Sequence, residues 1–196
     1  MNLANKLTIF RIILVLIIVI VSLINIPGEF LSIPINMLIM GILFIIASLT
    51  DTLDGYIARS RNQVTTFGKF LDPIADKILV IAVMIIFVSY SKLPAWIPIV
   101  VIFREFLVSG YRLIAVEKGG TVIAANIWGK IKTVTQMIAI SLMFIDINPY
   151  AAILNSQLTG IQFALNLVTT LLMTVSVIAT VFSGYEYLKG CKQLFK

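Results

Sequence analysis

The chain has 196 residues, of which 60% are hydrophobic and only 12% charged, and its mean hydropathy is +1.05. That composition excludes an ordinary soluble domain and points to an integral membrane protein. The formal net charge is +6 and histidine is absent, so His-based acid–base chemistry, Ser-His-Asp triads and imidazole metal ligands are excluded together.

Six apolar stretches are predicted as transmembrane helices, over Leu7–Ile26, Ile33–Tyr56, Phe70–Ser91, Pro94–Val116, Ile131–Ile147 and Gly160–Tyr187. Each is near the roughly 20 residues that a helix needs to cross hydrocarbon. Together they use up most of the chain, so one all-α transmembrane domain over residues 1–196 is expected. The first stretch is long for a signal peptide and lacks a clean small-residue cleavage site before Pro27, so it reads as a retained helix. Breakers fall between the stretches at Pro27-Gly28, Pro34, Pro94, Gly119-Gly120, Asn148-Pro149 and Gly160. Nearly every lysine and arginine lies at the amino-terminal end, between Arg59 and Lys69, between Arg112 and Lys132, or in the tail after Lys189. By the positive-inside rule both termini are cytoplasmic, in a multi-pass protein of the cell membrane. Basic residues flanking apolar spans suit anionic lipid head groups and phosphorylated substrates better than nucleic acid. The single cysteine, Cys191, cannot form an internal disulfide.

The second and third stretches carry four carboxylates: Asp51-x-x-Asp54-Gly55-x-x-Ala58-Arg59, then Gly68-x-x-x-Asp72-x-x-x-Asp76. An ionised carboxylate at mid-bilayer costs about 2.5–3.5 kcal/mol or more, yet four of the nine acidic residues lie here. Asp51 and Asp54 share one helix face, and Asp72 and Asp76 share another. Converging carboxylates repel unless cations lie between them. Hard oxygen ligands without histidine or thiol favour Mg²⁺, Mn²⁺ or Ca²⁺. Helix capping is the plainer alternative, and Asp72 before Pro73 has the form of an N-cap with proline at the first helical position. It accounts for one or two of the four, not for the whole spaced set. By the orientation above, the cluster lies at the cytoplasmic mouth.

The fourth stretch holds Arg104 and Glu105 inside an apolar helix, with Arg112 seven residues beyond Glu105. Such charges face the bundle interior and pair with one another or line a wet cavity, and one acid cannot neutralise two arginines. At the start of the fifth stretch, Lys130 and Lys132 are about 200° apart around a helix, so one can snorkel to lipid while the other turns inward. With the two arginines they make a basic set suited to a phosphate group.

The run from Asp51 to Asp76 resembles the signature of the CDP-alcohol phosphotransferases and matches it at all eight defining positions. Asn2–Arg11, Arg104–Arg112 and Gly129–Thr133 are similar to stretches of the phosphatidylglycerophosphate synthases within that family, as more weakly is Ser183–Tyr187; Ala4 and Tyr111 depart from their pattern. The resemblance implies transfer of a phosphatidyl group from CDP-diacylglycerol to sn-glycerol 3-phosphate with release of CMP, a six-helix fold and a homodimer. It implies that Asp51, Asp54, Asp72 and Asp76 hold two Mg²⁺ or Mn²⁺ ions and that Asp76 is the general base. Asn5, Thr8, Gly55, Ala58, Arg59 and Gly68 would serve the nucleotide, and Arg104, Arg112, Lys130 and Lys132 the phosphate of the acceptor. Another acceptor such as inositol phosphate is the alternative within the family. A divalent-cation transporter is the alternative outside it, although its carboxylates would be needed near the bilayer midplane.

Overall fold

The computed structural model describes the backbone of residues 3–60, 66–117, 127–154 and 157–194, with side chains at 6–50, 74–111, 127–154 and 157–189. Among these residues there are six α-helices: α1 Leu3–Leu23, α2 Ile35–Ser60, α3 Thr66–Ser89, α4 Trp96–Glu117, α5 Ile127–Ile145 and α6 Gly160–Leu194. They coincide with the six predicted stretches to within a few residues at most ends. Two described segments, Lys6–Leu23 and Gly160–Lys189, are long and apolar enough to cross a membrane, and Ile35–Thr50 is a shorter apolar run. At α3 the helix begins at Thr66, so Asp72 and Pro73 lie well inside it. Asp72 therefore does not cap this helix, contrary to that expectation.

The chain folds as two compact units. The first comprises Met1–Tyr90 and Ser141–Ile147, and the second Ser91–Ile140 and Asn148–Lys196. In the first unit α1 packs against α2 and α3. Leu14 and Ile18 of α1, Met40 and Phe44 of α2, and Leu79, Val83 and Phe87 of α3 form its buried core. The ring of Phe144 closes this core, tilted against Phe44 at 5.8 Å and Phe87 at 4.8 Å between centroids, distances at which aromatic pairs add to their burial. Gly41 permits the approach, because a Cβ there would lie 3.0 Å from the Cβ of Phe144. At one end of the unit the Tyr90 hydroxyl donates to the carbonyl of Ser22 and accepts from Asn36 Nδ2, which ties three chain segments together.

Between α1 and α2, Glu29–Phe30 (β1) and Ile33–Pro34 (β2) pair as an antiparallel hairpin, so α2 begins at Ile35 rather than at Ile33. The hairpin's two turn residues, Leu31 and Ser32, have φ of 52° and 65°. This is the left-handed geometry that two-residue hairpins require and that Asn-Gly usually supplies, so the residue types give no signal for it.

In the second unit α4 packs on α6. The face that α6 buries is made largely of small polar residues, including Thr169, Ser176, Thr180 and Ser183. Its exposed face carries Val168, Leu171, Val175, Ile178, Phe182 and Tyr185 at alternating spacings of three and four. Apolar outside and small or polar inside is the arrangement of helices packed in lipid, where close backbone approach and internal hydrogen bonds replace the hydrophobic drive. Side chains of α6 also satisfy the backbone of the α5–α6 connection. Asn166, wholly buried, donates to the carbonyl of Pro149 at 3.0 Å and accepts from the amide of Ile153 at 3.1 Å. Thr170 accepts from the amide of Ala151, and the Tyr150 and Thr174 hydroxyls bond at 2.9 Å.

An unpaired buried backbone group costs about 1–3 kcal/mol. Asn166→Leu, which takes the partner from the Ile153 amide and leaves the Pro149 carbonyl with only the Ala152 amide at 3.1 Å, is therefore expected to lower the melting temperature of the detergent-solubilised protein by several degrees. A thermal-shift measurement checks this.

Candidate active site

The four aspartates fall on two helices. Asp51 and Asp54, with Gly55, Ala58 and Arg59, lie in the last turns of α2; Gly68, Asp72 and Asp76 lie in the first turns of α3. Each pair keeps the spacing that puts its members on one helix face. The side chains of all these residues except Asp76 lie outside the described residues, as do those of Asn5 in α1 and Arg112 in α4. Among the described residues no three His, Cys, Asp or Glu side chains come together.

Asp76 is described, and its partner is one that sequence reading passed over. Arg11, on α1, is fully buried and donates from Nη1 to Asp76 Oδ1 at 2.5 Å. The Asp76 side chain is 46% exposed, so the pair joins a sequestered cation to a carboxylate still open at its surface. Thr8, one turn before Arg11, is also fully buried. α1 thus supports this carboxylate from below with a charge it could not bury alone. A half-exposed carboxylate within a spaced set of four, with no nitrogen or sulfur donor among them, fits a hard divalent cation.

The basic residues divide. Lys132 is buried and Lys130 exposed, as expected for two positions on opposite sides of one helix. Lys132 donates to Glu105 Oε1 at 2.5 Å, and Arg104 Nη1 donates to the same oxygen at 2.8 Å. One carboxylate is therefore shared by two cations in a largely buried cluster. The sequence left open whether Glu105 serves packing or function. Its geometry is that of a hub: it fixes the positions of Arg104 on α4 and Lys132 on α5 across 27 residues of sequence.

Comparison with known proteins follows the same lines. The sequence matches the CDP-alcohol phosphatidyltransferase family over residues 1–182. It is 47% identical over 193 residues to the CDP-diacylglycerol--glycerol-3-phosphate 3-phosphatidyltransferase of Bacillus subtilis, covering 95% of this chain and 93% of that protein. It is 37% identical to a protein of the same name from Rickettsia bellii, with 99% and 97% covered. With a third of that name from Haemophilus influenzae it shares 34% identity, over 97% and 94%. With the signature carboxylates on α2 and α3 and a match over nearly its whole length, the chain belongs to the CDP-alcohol phosphatidyltransferase family.

Proposed function

We propose that this chain transfers the phosphatidyl group of CDP-diacylglycerol to the primary hydroxyl of sn-glycerol 3-phosphate, forming phosphatidylglycerophosphate and CMP. The observation that carries the reading is the 47% identity, over nearly the full length of both chains, to a protein named for this activity. The oxygen of the acceptor's hydroxyl forms the new bond to the phosphatidyl phosphorus, the bond from that phosphorus to the CMP oxygen breaks, and the hydroxyl proton is lost. With no histidine in the chain a carboxylate is the available base, and the family resemblance assigns that proton to Asp76.

Asp51, Asp54, Asp72 and Asp76 would together hold two Mg²⁺ or Mn²⁺ ions, which supply charge stabilisation to the attacking and leaving oxygens of a displacement at phosphorus. Gly55 and Ala58 keep one face of α2 small for the nucleotide, Gly68 allows close backbone approach, and Asn5 and Arg59 contribute polar contacts to it, whereas Thr8 is fully buried and not open to it. Arg104, Arg112 and Lys132 serve the acceptor's phosphate, and Lys130, exposed on the other side of α5, is left to lipid phosphates. The two cations drawn together on Glu105 support this, because a phosphorylated acceptor brings the negative charge that cations bind and serine brings no phosphate.

The domain is a single transmembrane one over residues 1–196, with six spans and both termini in the cytoplasm, where the charged segments lie. Its surroundings are the lipids of the cell membrane, and it works as a homodimer.

CMP release by the purified protein in detergent, with CDP-diacylglycerol and Mg²⁺ or Mn²⁺, tests the reading. Release is expected with sn-glycerol 3-phosphate and not with inositol 1-phosphate, serine or phosphatidylglycerol; release only with one of the others would overturn the acceptor assignment. Separately, Arg112→Glu is expected to raise KM for glycerol 3-phosphate by about 100-fold, as replacing a charge partner with a like charge does. Binding of CDP-diacylglycerol should be largely retained, which a lipid-competition assay measures.

A further inference from the structure

Serine and threonine side chains in these helices mostly bond back to their own helix. Thr180 donates to the carbonyl of Ser176, Thr174 to that of Thr170, Thr169 to that of Leu165 and Ser109 to that of Glu105. This is the usual resting place of a hydroxyl on a buried helix face. Ser183 differs. It is wholly buried on α6, and its Oγ accepts from Arg104 Nη2, on α4, at 2.6 Å.

Arg104 is held on several sides. Nη1 is on Glu105 and Nη2 on Ser183, and the guanidinium carbon lies 5.9 Å from the centre of the Tyr187 ring, within cation–π range. Gly129 and Gly184 lie beside it, at ordinary van der Waals distance. A Cβ at Gly129 would lie 3.4 Å from Nη2 and 3.8 Å from Ser183 Oγ, and one at Gly184 would lie 3.6 Å from the Arg104 stem. A guanidinium has five N–H groups in a rigid fork, and the contacts to Glu105 and Ser183 fix its plane. Arg104 Nε is nevertheless buried without a hydrogen-bond partner among the described residues. A donor left so is costly unless an acceptor comes to it, and a phosphate oxygen is the acceptor that suits an arginine held in a fixed plane.

We infer that Ser183 is a positioning residue for the acceptor's phosphate: it acts through Arg104, whose guanidinium it orients so that the Nε edge meets the phosphate oxygens. The inference rests on the proposal that the acceptor is phosphorylated. It gives α6, remote in sequence from the carboxylate signature, a part in acceptor selectivity. Tyr187 and the small residues Gly129 and Gly184 complete the seat.

The test is steady-state kinetics of the full-length protein in detergent. For Ser183→Ala the KM for sn-glycerol 3-phosphate should rise about tenfold, the loss expected for one hydrogen bond to a charged group. The KM for CDP-diacylglycerol should stay within about twofold of wild type, the direct contacts to that substrate being untouched. Ser183→Thr, which keeps the hydroxyl, should restore the acceptor KM. Because Ser183 acts through Arg104, the Ser183→Ala/Arg104→Ala double variant should be no worse than Arg104→Ala alone. An unchanged acceptor KM, a loss spread evenly over both substrates, or additive effects in the double variant would overturn the inference. If Ser183→Ala does not purify as a folded species, Ser183→Cys keeps the volume with a weaker acceptor, and the same shift is expected of it. Wild-type protein active on glycerol 3-phosphate but insensitive at Ser183 contradicts this inference alone. If wild type instead uses a different phosphorylated alcohol, the acceptor assignment falls and the same KM ratio with that alcohol decides Ser183. If it uses only an unphosphorylated alcohol, both fall.

Discussion

A charge buried inside an apolar helix bundle must have a partner, and that constraint organises the described parts of this protein. Arg11 is wholly enclosed and is matched by Asp76. Glu105 takes both Arg104 and Lys132 on one oxygen. Removing one member of a pair leaves the other, sequestered charge without its partner, so each such contact holds the helices that bear it in place. In the first unit the lock joins α1 to α3. In the second it joins α4 to α5, and Ser183 extends it to α6. Chemistry and packing share the same side chains here, because an apolar bundle offers few other polar groups with which to do either.

Legibility in the sequence followed the range of the interaction. The helices were readable because apolar runs of membrane length are local, and the carboxylate signature was readable because its members lie within a short stretch at helical spacing. The partnership of Arg11 with Asp76, 65 residues apart, was not, and neither was that of Arg104 with Ser183, 79 apart. Helical spacing puts Lys130 and Lys132 on opposite faces but offers no way to choose between them; tertiary packing buries Lys132 and leaves Lys130 exposed. Local geometry also misled at two points. Leu31 and Ser32 adopt a left-handed turn without the residues that advertise one. The Asp72-Pro73 pair looked like a helix start, whereas α3 begins at Thr66.

The proposed chemistry divides between carboxylates and cations. The aspartates of α2 and α3 suit divalent ions and a diphosphate. The basic side chains of α4 and α5 suit the phosphate of a second substrate. On this account charge separates phosphorylated acceptors from serine, whereas the choice of glycerol 3-phosphate over inositol phosphate rests on the resemblance to the relatives named for that acceptor.

The most direct measurement is manganese binding to the purified protein, followed by electron paramagnetic resonance in the presence of CDP-diacylglycerol. The account predicts two Mn²⁺ ions per chain, as a two-ion phosphoryl-transfer site requires, with at least one lost in Asp72→Asn while the protein remains folded. Stoichiometric binding that is the same in wild type and Asp72→Asn, or no saturable binding at all, would contradict it.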